Sequence, residues 1–318
     1  MAEITSGELR HRRGLLGGVY RAMDSDIAYS FRKSPITVAA TIVTIFIIVC
    51  SVFAPIIAPH DPFDVASIDL MDGELPPSWD VEGDPRFLLG TDNLGRDILS
   101  TIIYGSRISL LVGFASVALA MGLGIVLGLI SGYLGGAVDA FIMRIAEIQL
   151  SLPTILVAFL LVGIIRGYLP PDQHHQVAIP VLILAIGLSN WVQFARTVRG
   201  STLVERNKEY VLAARVIGLK PFVIMIRHVL PNVMGPVLVI ATIGLATAIL
   251  TEATLSFLGV GAPPTEPSLG VLINVGQNYL FSGLWWITIF PGIALAVLVL
   301  AVNLLGDWLR DALNPKLR

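Results

Sequence analysis

Six stretches of this 318-residue chain are long and apolar enough to cross a membrane, and no other feature constrains its fold as strongly. A spanning helix needs about 20 mostly apolar residues at 1.5 Å rise each. The runs at roughly Ile36–Ala58, Ile108–Ile130, Phe141–Ile164, Ala178–Ala195, Val233–Phe257 and Leu284–Leu305 meet that length. A chain with 55% hydrophobic and 14% charged residues, and a mean hydropathy of +0.79, is more apolar than a water-soluble core of this size needs. The expected fold is therefore all-α and polytopic, with six transmembrane helices.

Six crossings place both termini on one side, and the basic residues say which. One side collects Arg10, Arg12, Arg13, Arg21, Arg32 and Lys33, then Arg196, Arg199, Arg206, Lys208, Arg215, Lys220 and Arg227, then Arg310, Lys316 and Arg318. The other holds Arg86, Arg96, Arg107 and Arg166, with Arg144 near an inner end. A bias of 16 to 4 among the 21 Lys and Arg residues is the positive-inside pattern and predicts cytoplasmic termini. The first apolar run, of about 23 residues, exceeds the 7–15 of a signal peptide, so it reads as a retained helix. The chain then divides into a cytoplasmic segment 1–35, a first span 36–58, an external loop 59–104, a five-helix core 105–310 with a cytoplasmic loop at about 200–231, and a tail 311–318.

The loop 59–104 carries ten carboxylates between Asp61 and Asp97, together with Pro76, Pro77 and Trp79. It is too polar to span and too long for a turn, which leaves a docking surface for an external partner or a solvated ornament. In the second span Gly124, Gly128, Gly132 and Gly136 recur every four residues and expose backbone along one stripe, which permits close helix contact.

The most informative segment lies between spans four and five. Glu209-Tyr-Val-Leu-Ala213-Ala214-Arg215-Val-Ile-Gly218 is followed, nine residues on, by His228-Val-Leu230-Pro231-Asn232. It reads as two short helices with a break: the alanines favour helix and offer a flat face, Gly218 ends the first helix and Pro221 can open the second. This segment resembles the hallmark of the binding-protein-dependent ABC importer permeases, a Glu-Ala-Ala loop with a glycine four residues after the second alanine and an Ile-x-Leu-Pro about ten residues beyond. Ala213, Ala214, Gly218, Leu230 and Pro231 fall in register. Leu212 stands at the family's glutamate position and His228 at its isoleucine, while Glu209, one turn earlier, could supply a carboxylate on a neighbouring face.

Further runs narrow the resemblance to the C-type subunit of dipeptide/oligopeptide permeases: Pro59-His-Asp-Pro62, Leu89-Gly-Thr-Asp-Asn-Leu-Gly-Arg-Asp97, Tyr104-Gly-Ser-Arg-Ile-Ser-Leu110, Leu255-Ser-Phe-Leu-Gly-Val-Gly261 and Gly306-Asp-Trp-Leu-Arg-Asp-Ala-Leu-Asn-Pro315. It runs from about His60 to the C-terminus. The resemblance implies a type I importer permease fold, with Glu209, Leu212, Ala213, Ala214, Arg215, Gly218, Leu230 and Pro231 coupling to an ATPase. It also implies a paralogous permease subunit, two cytoplasmic ATPase subunits, an extracytoplasmic substrate-binding protein and a bacterial inner membrane. Nickel, glutathione or haem could replace peptide as cargo within the same branch.

What the chain lacks agrees with that division of labour. It contains no Gly-Lys pair, hence no P-loop, so nucleotide hydrolysis belongs to another polypeptide. No Gly-x-Ser-x-Gly or His-Glu-x-x-His supports an intramembrane enzyme, and a near-neutral charge of -2 offers nucleic acid no attraction. No cofactor or metal site is expected: His174-His175 reads as a surface loop, and the single Cys50 lies in an apolar run. A passive channel is the third class; ATP-dependent accumulation of substrate against a gradient would exclude it. Among intramembrane charges, which cost about 2.5–3.5 kcal/mol at mid-bilayer, Arg144 and Glu147 are spaced to pair. Glu252, near the outer end of span five, either pairs structurally or lines the pathway.

Overall fold

The computed structural model describes residues 31–64, 68–170, 173–263 and 265–313. Within them the chain is helical, and its only β feature is an isolated bridge between Thr91 and Asp97. The basic residues Arg10, Arg12, Arg13, Arg21, Lys316 and Arg318 lie outside the described residues.

Helix α1 (Pro35–Val52) starts where Ser34 caps it by accepting from the Thr37 amide, with Pro35 at its first position. After the loop, Asp97 caps α2 (Ile98–Leu134) by accepting from the Ser100 amide at 2.9 Å. At 37 residues α2 is about 55 Å long, well beyond a hydrocarbon core of about 30 Å. It therefore begins ten residues before the apolar run expected at Ile108, inside the stretch assigned to the loop: Ile98, Leu99, Ile102 and Ile103 continue the helix, but Ser100, Thr101, Ser106 and Arg107 interrupt the apolar run there.

The third span is not one helix. α3 (Gly136–Leu150) and α4 (Thr154–Tyr168) meet at a 97° bend across Ser151, Leu152 and Pro153. Pro153 has no amide hydrogen to continue the ladder. Neighbours stabilise the break: Gln149 Nε2 donates to the carbonyls of Leu188 and Ser189 at 3.0 and 2.9 Å, and Trp191 Nε1 donates to Gln149 Oε1. Arg144 and Glu147 sit 3.5 Å apart on α3, both exposed.

α5 (His174–Glu205) runs ten residues past the expected end at Ala195, so Arg196 and Arg199 are helical. The short α6 (Glu209–Val216) follows, then a helical turn at Pro221–Ile224, a π segment at Met225–Val229, and α7 (Leu230–Phe257). A nine-residue helix absent from the sequence expectation, α8 (Leu269–Gln277), precedes α9 (Trp286–Leu313). Among the described residues, five helices have the length and apolarity to cross a membrane, or six if the bent α3–α4 pair counts as one span.

The centre of the bundle is the α2–α5 pair. A Cβ on Gly124 would lie 2.3 Å from Cβ of Phe194, one on Gly128 2.6 Å from the Ala195 carbonyl, and one on Gly132 2.7 Å from Cβ of Thr202. Three glycines of the stripe thus seat α5 directly on the α2 backbone. Gly136 does not join them: α2 ends at Leu134, and Gly135 and Gly136 turn the chain at φ +70° and +58°.

The two ends of the bundle are built differently. At one, Arg206 donates to the Gly132 carbonyl at 2.8 Å and Arg199 forms a bidentate pair with Asp139. At the other, Arg166 donates to the Gly261 carbonyl at 2.9 Å and Trp286 Nε1 to the Thr91 carbonyl at 3.1 Å. The loop around residues 69–97 is folded. Arg96 pairs with Asp92 at 2.7 Å, and Thr91 Oγ1 donates to the Asp72 carbonyl. A Cβ on Gly95, at φ +78°, would meet the Asp69 carbonyl at 2.3 Å.

Candidate functional site

The segment from Glu205 to Asn232 closes the end of the bundle where α2 stops. Glu205 is nearly buried and accepts from Lys208 Nζ at 2.6 Å and from the Tyr210 hydroxyl. That hydroxyl also accepts from Asn232 Nδ2 at 3.1 Å, and Asn232 donates to the His228 carbonyl at 2.7 Å. Tyr210 thereby ties the start of α6 to the last turn of α5 and the first of α7. Burial and the Glu205 carboxylate push its phenol up to about 12.

One face of α6 packs inward. Val211 and Ala214 are buried beside Leu129, Tyr133, Ile224 and Val233. Arg215 stacks 5.0 Å from the Tyr133 ring centroid and its Nε donates to the Tyr133 hydroxyl at 3.3 Å, fastening α6 to the end of α2. The helix ends in a Schellman motif: Leu219 N donates to the Ala214 carbonyl and Gly218 N to that of Arg215, with Gly218 at φ +81°. Leu219 then folds back onto the same apolar cluster.

The opposite face is apolar and exposed. Val216 is 87%, Ile217 74%, Phe222 69% and Leu212 45% accessible. Ala213 and Glu209 share this exposure, as does Pro231, whereas Leu230 packs partly into the cluster behind. The expected flat face of two alanines is accordingly corrected: Ala214 is 3% exposed and serves the chain's own core, and only Ala213 faces outward. Nearly every residue from Tyr210 to Ile217 is apolar, so the pattern marks no inner face, and only the position of α2 selects Val211 and Ala214. Glu205 was missed altogether, its signal being a carboxylate three residues before Lys208 and five before Tyr210.

Glu252 lies far from this segment. It is fully buried between α2, α7 and α8, accepts from Ser109 and Ser256 hydroxyls at 2.7 Å each, and is also bonded by Ser268. Ser109 Oγ in turn accepts from the Leu269 amide at 3.4 Å. These contacts fit the structural-pairing alternative, with the carboxylate enclosed within this chain. His174 Nε2 lies 2.9 Å from the Arg166 carbonyl, closing the end of α4; the side chain of His175 lies outside what is described. Among the described residues no three His, Cys, Asp or Glu side chains are grouped to hold a metal.

Comparison with known proteins places these features. Residues 124–318 match the family described as binding-protein-dependent transport system inner membrane component, and residues 25–77 match the N-terminal TM domain of oligopeptide transport permease C. Family likeness thus begins by residue 25, not at His60. A dipeptide transport system permease protein of Haemophilus influenzae is 39% identical over 91% of this chain and 94% of its own. A di/tripeptide transport system permease protein of Pseudomonas aeruginosa is 38% identical over 94% of both chains. An oligopeptide transport system permease protein of Bacillus subtilis is 36% identical over 92% of this chain and 90% of its own. Among solved structures, the MetNI methionine ABC transporter in an inward-facing conformation aligns with a TM-score of 0.52 at 22% identity, over 68% of this chain and 98% of that one, a likeness of fold.

Proposed function

The chain belongs to the binding-protein-dependent transport system inner membrane components and is a non-catalytic ABC importer permease subunit; from that premise we propose that it translocates di- and oligopeptides. The relatives' peptide cargo supports this reading over nickel, glutathione or haem. In the same reading both termini are cytoplasmic, and the pathway forms between this subunit and a paralogous permease. A substrate-binding protein delivers cargo to the 59–97 end, and two ATPases drive the cycle. Glu209, Leu212, Ala213, Arg215, Gly218 and Pro231 make up or hold the coupling surface, and Ala214 and Leu230 support it from behind.

One observation carries the proposal. The crest of Leu212 and Val216 on α6, Ile217 at its C-cap and Phe222 in the turn that follows is presented to water at the end of a membrane protein, and the other face of α6 is fastened to the bundle. An exposed apolar patch of this kind marks a protein interface, and a groove in an ATPase is the partner that would bury it. The test is co-purification of the ATPase subunits with, and ATP-dependent uptake of labelled dipeptide by, the assembled transporter carrying V216E or I217E. At least a tenfold loss of both, with normal membrane insertion, is expected. Retained ATPase and unchanged uptake would remove the coupling role.

A further inference from the structure

At the end of the bundle away from α6, a cavity of about 510 Å³ opens among α2, α5 and residues 265–266, lined by Phe63, Tyr104, Arg107, Leu111, Ile179 and Glu266. Its volume suits a small organic ligand. Phe63 and Tyr104 meet edge to face with ring centroids 5.2 Å apart and form an aromatic wall.

The charges are the informative part. Four arginines occupy this end, and three have structural duties: Arg86 with Asp72 and Asp84, Arg96 with Asp92, and Arg166 with the Gly261 carbonyl. Arg107 is exposed and its side chain makes no hydrogen bond or ion pair among the described residues. Glu266 is also exposed, and its side chain likewise makes no hydrogen bond or ion pair among the described residues. Two opposite charges therefore line one cavity without joining each other, an arrangement that leaves a guanidinium and a carboxylate both available to something between them.

We propose that this cavity is a binding site for the free termini of a short peptide, with Arg107 taking the carboxylate and Glu266 the ammonium. Phe63, Tyr104, Leu111 and Ile179 supply an apolar surface for the peptide's side chains. The inference rests on the peptide reading above and deepens it, by assigning to this subunit a preference for uncapped peptides at the mouth of the route. Guanidinium and carboxylate match in geometry and can form two parallel hydrogen bonds. Both protein charges are solvated, so the interaction is weak, as suits a site that must release its ligand onward.

The test uses the full transporter assembled with its partner subunits in nanodiscs, without the binding protein, and saturation-transfer NMR. The probes are alanyl-alanine, N-acetyl-alanyl-alanine amide and phosphoethanolamine. A signal from the free dipeptide and little from the doubly capped one is expected. R107Q and E266Q should each lower the dipeptide signal roughly fivefold, the scale of one exposed charge interaction. The charge-swapped pair R107E/E266R should recover part of it, because a zwitterion can bind reversed. A dipeptide signal indifferent to R107Q and E266Q would overturn the site. So would phosphoethanolamine giving the same variant-sensitive signal, which would make it a lipid headgroup site. ATP-driven dipeptide uptake by the unsubstituted assembly, reconstituted into sealed liposomes together with its substrate-binding protein, separates the two claims. If it fails, the peptide reading falls and this inference with it; if uptake proceeds while the NMR signal ignores both variants, only this inference falls.

Discussion

Ala213 and Ala214 are neighbours with opposite duties, and the difference is measurable. Ala214 is pressed into the cluster around Tyr133 and Ile224, whereas Ala213 stands on the accessible side of α6. Ala214→Leu overfills a packed site at a cost of about 1–3 kcal/mol, and should lower the thermal midpoint of the purified subunit. Ala213→Leu should leave that midpoint unchanged and act on ATPase retention alone. Equal midpoints for the two variants would contradict the assigned orientation of α6. Tyr210 offers a second handle, through pH. Its phenol is held protonated up to about 12 against an ordinary value near 10. A raised folded value means that the stability it contributes is complete below pH 10 and is lost as pH climbs through 12. The thermal midpoint of the unsubstituted protein should therefore exceed that of Tyr210→Phe below pH 10, and the difference should close as pH rises toward 12. A difference that stays constant to pH 12 would deny Tyr210 this part.

Among the elements, α8 depends most on a single side chain. Glu252 on α7 holds Ser109 of α2, and Ser109 in turn receives the first amide of α8, while Gly270 lets α8 lie against the Ala253 carbonyl. Glu252→Ala strips partners from buried hydroxyls at a cost of about 1–3 kcal/mol, and should expose residues 258–285 to protease before the rest of the chain opens. Glu252→Gln, which can still bond the serines, should be much milder. Uniform proteolysis in both variants would deny Glu252 this anchoring part. The same elements explain what could be seen in advance. The long apolar runs announced α1, α2, α5, α7 and α9, and the alanine-glycine register located α6. The nine residues of α8 are too few to resemble a span, and their contacts come from residues 109 and 252, far away in sequence. Pro153 within an apolar run was the visible trace of the α3–α4 break, but hydropathy alone does not separate a bent pair from a straight helix. The inward turn of Ala214 was hidden for a similar reason, since both faces of α6 are apolar.

For the molecule as a whole, charge asymmetry predicts which end meets the cytoplasm. With its single Cys50 replaced by alanine, a cysteine placed at the exposed Asn207 should react with an impermeant maleimide only after the membrane is opened. One placed at Val81, fully exposed in the folded loop, should react in intact spheroplasts. The reverse pattern would invert the molecule and detach α6 from any ATPase. Arg206 and Arg215 rivet α6 and its approach to the end of α2, and the glycine stripe binds α2 to α5. A push on α6 therefore meets a stiff rod some 55 Å long. Tilting such a rod by about 10° carries its far tip through roughly 10 Å, so under the proposed coupling a modest rocking at the α6 end would be enough leverage to widen or narrow the far end, where Arg107 lies.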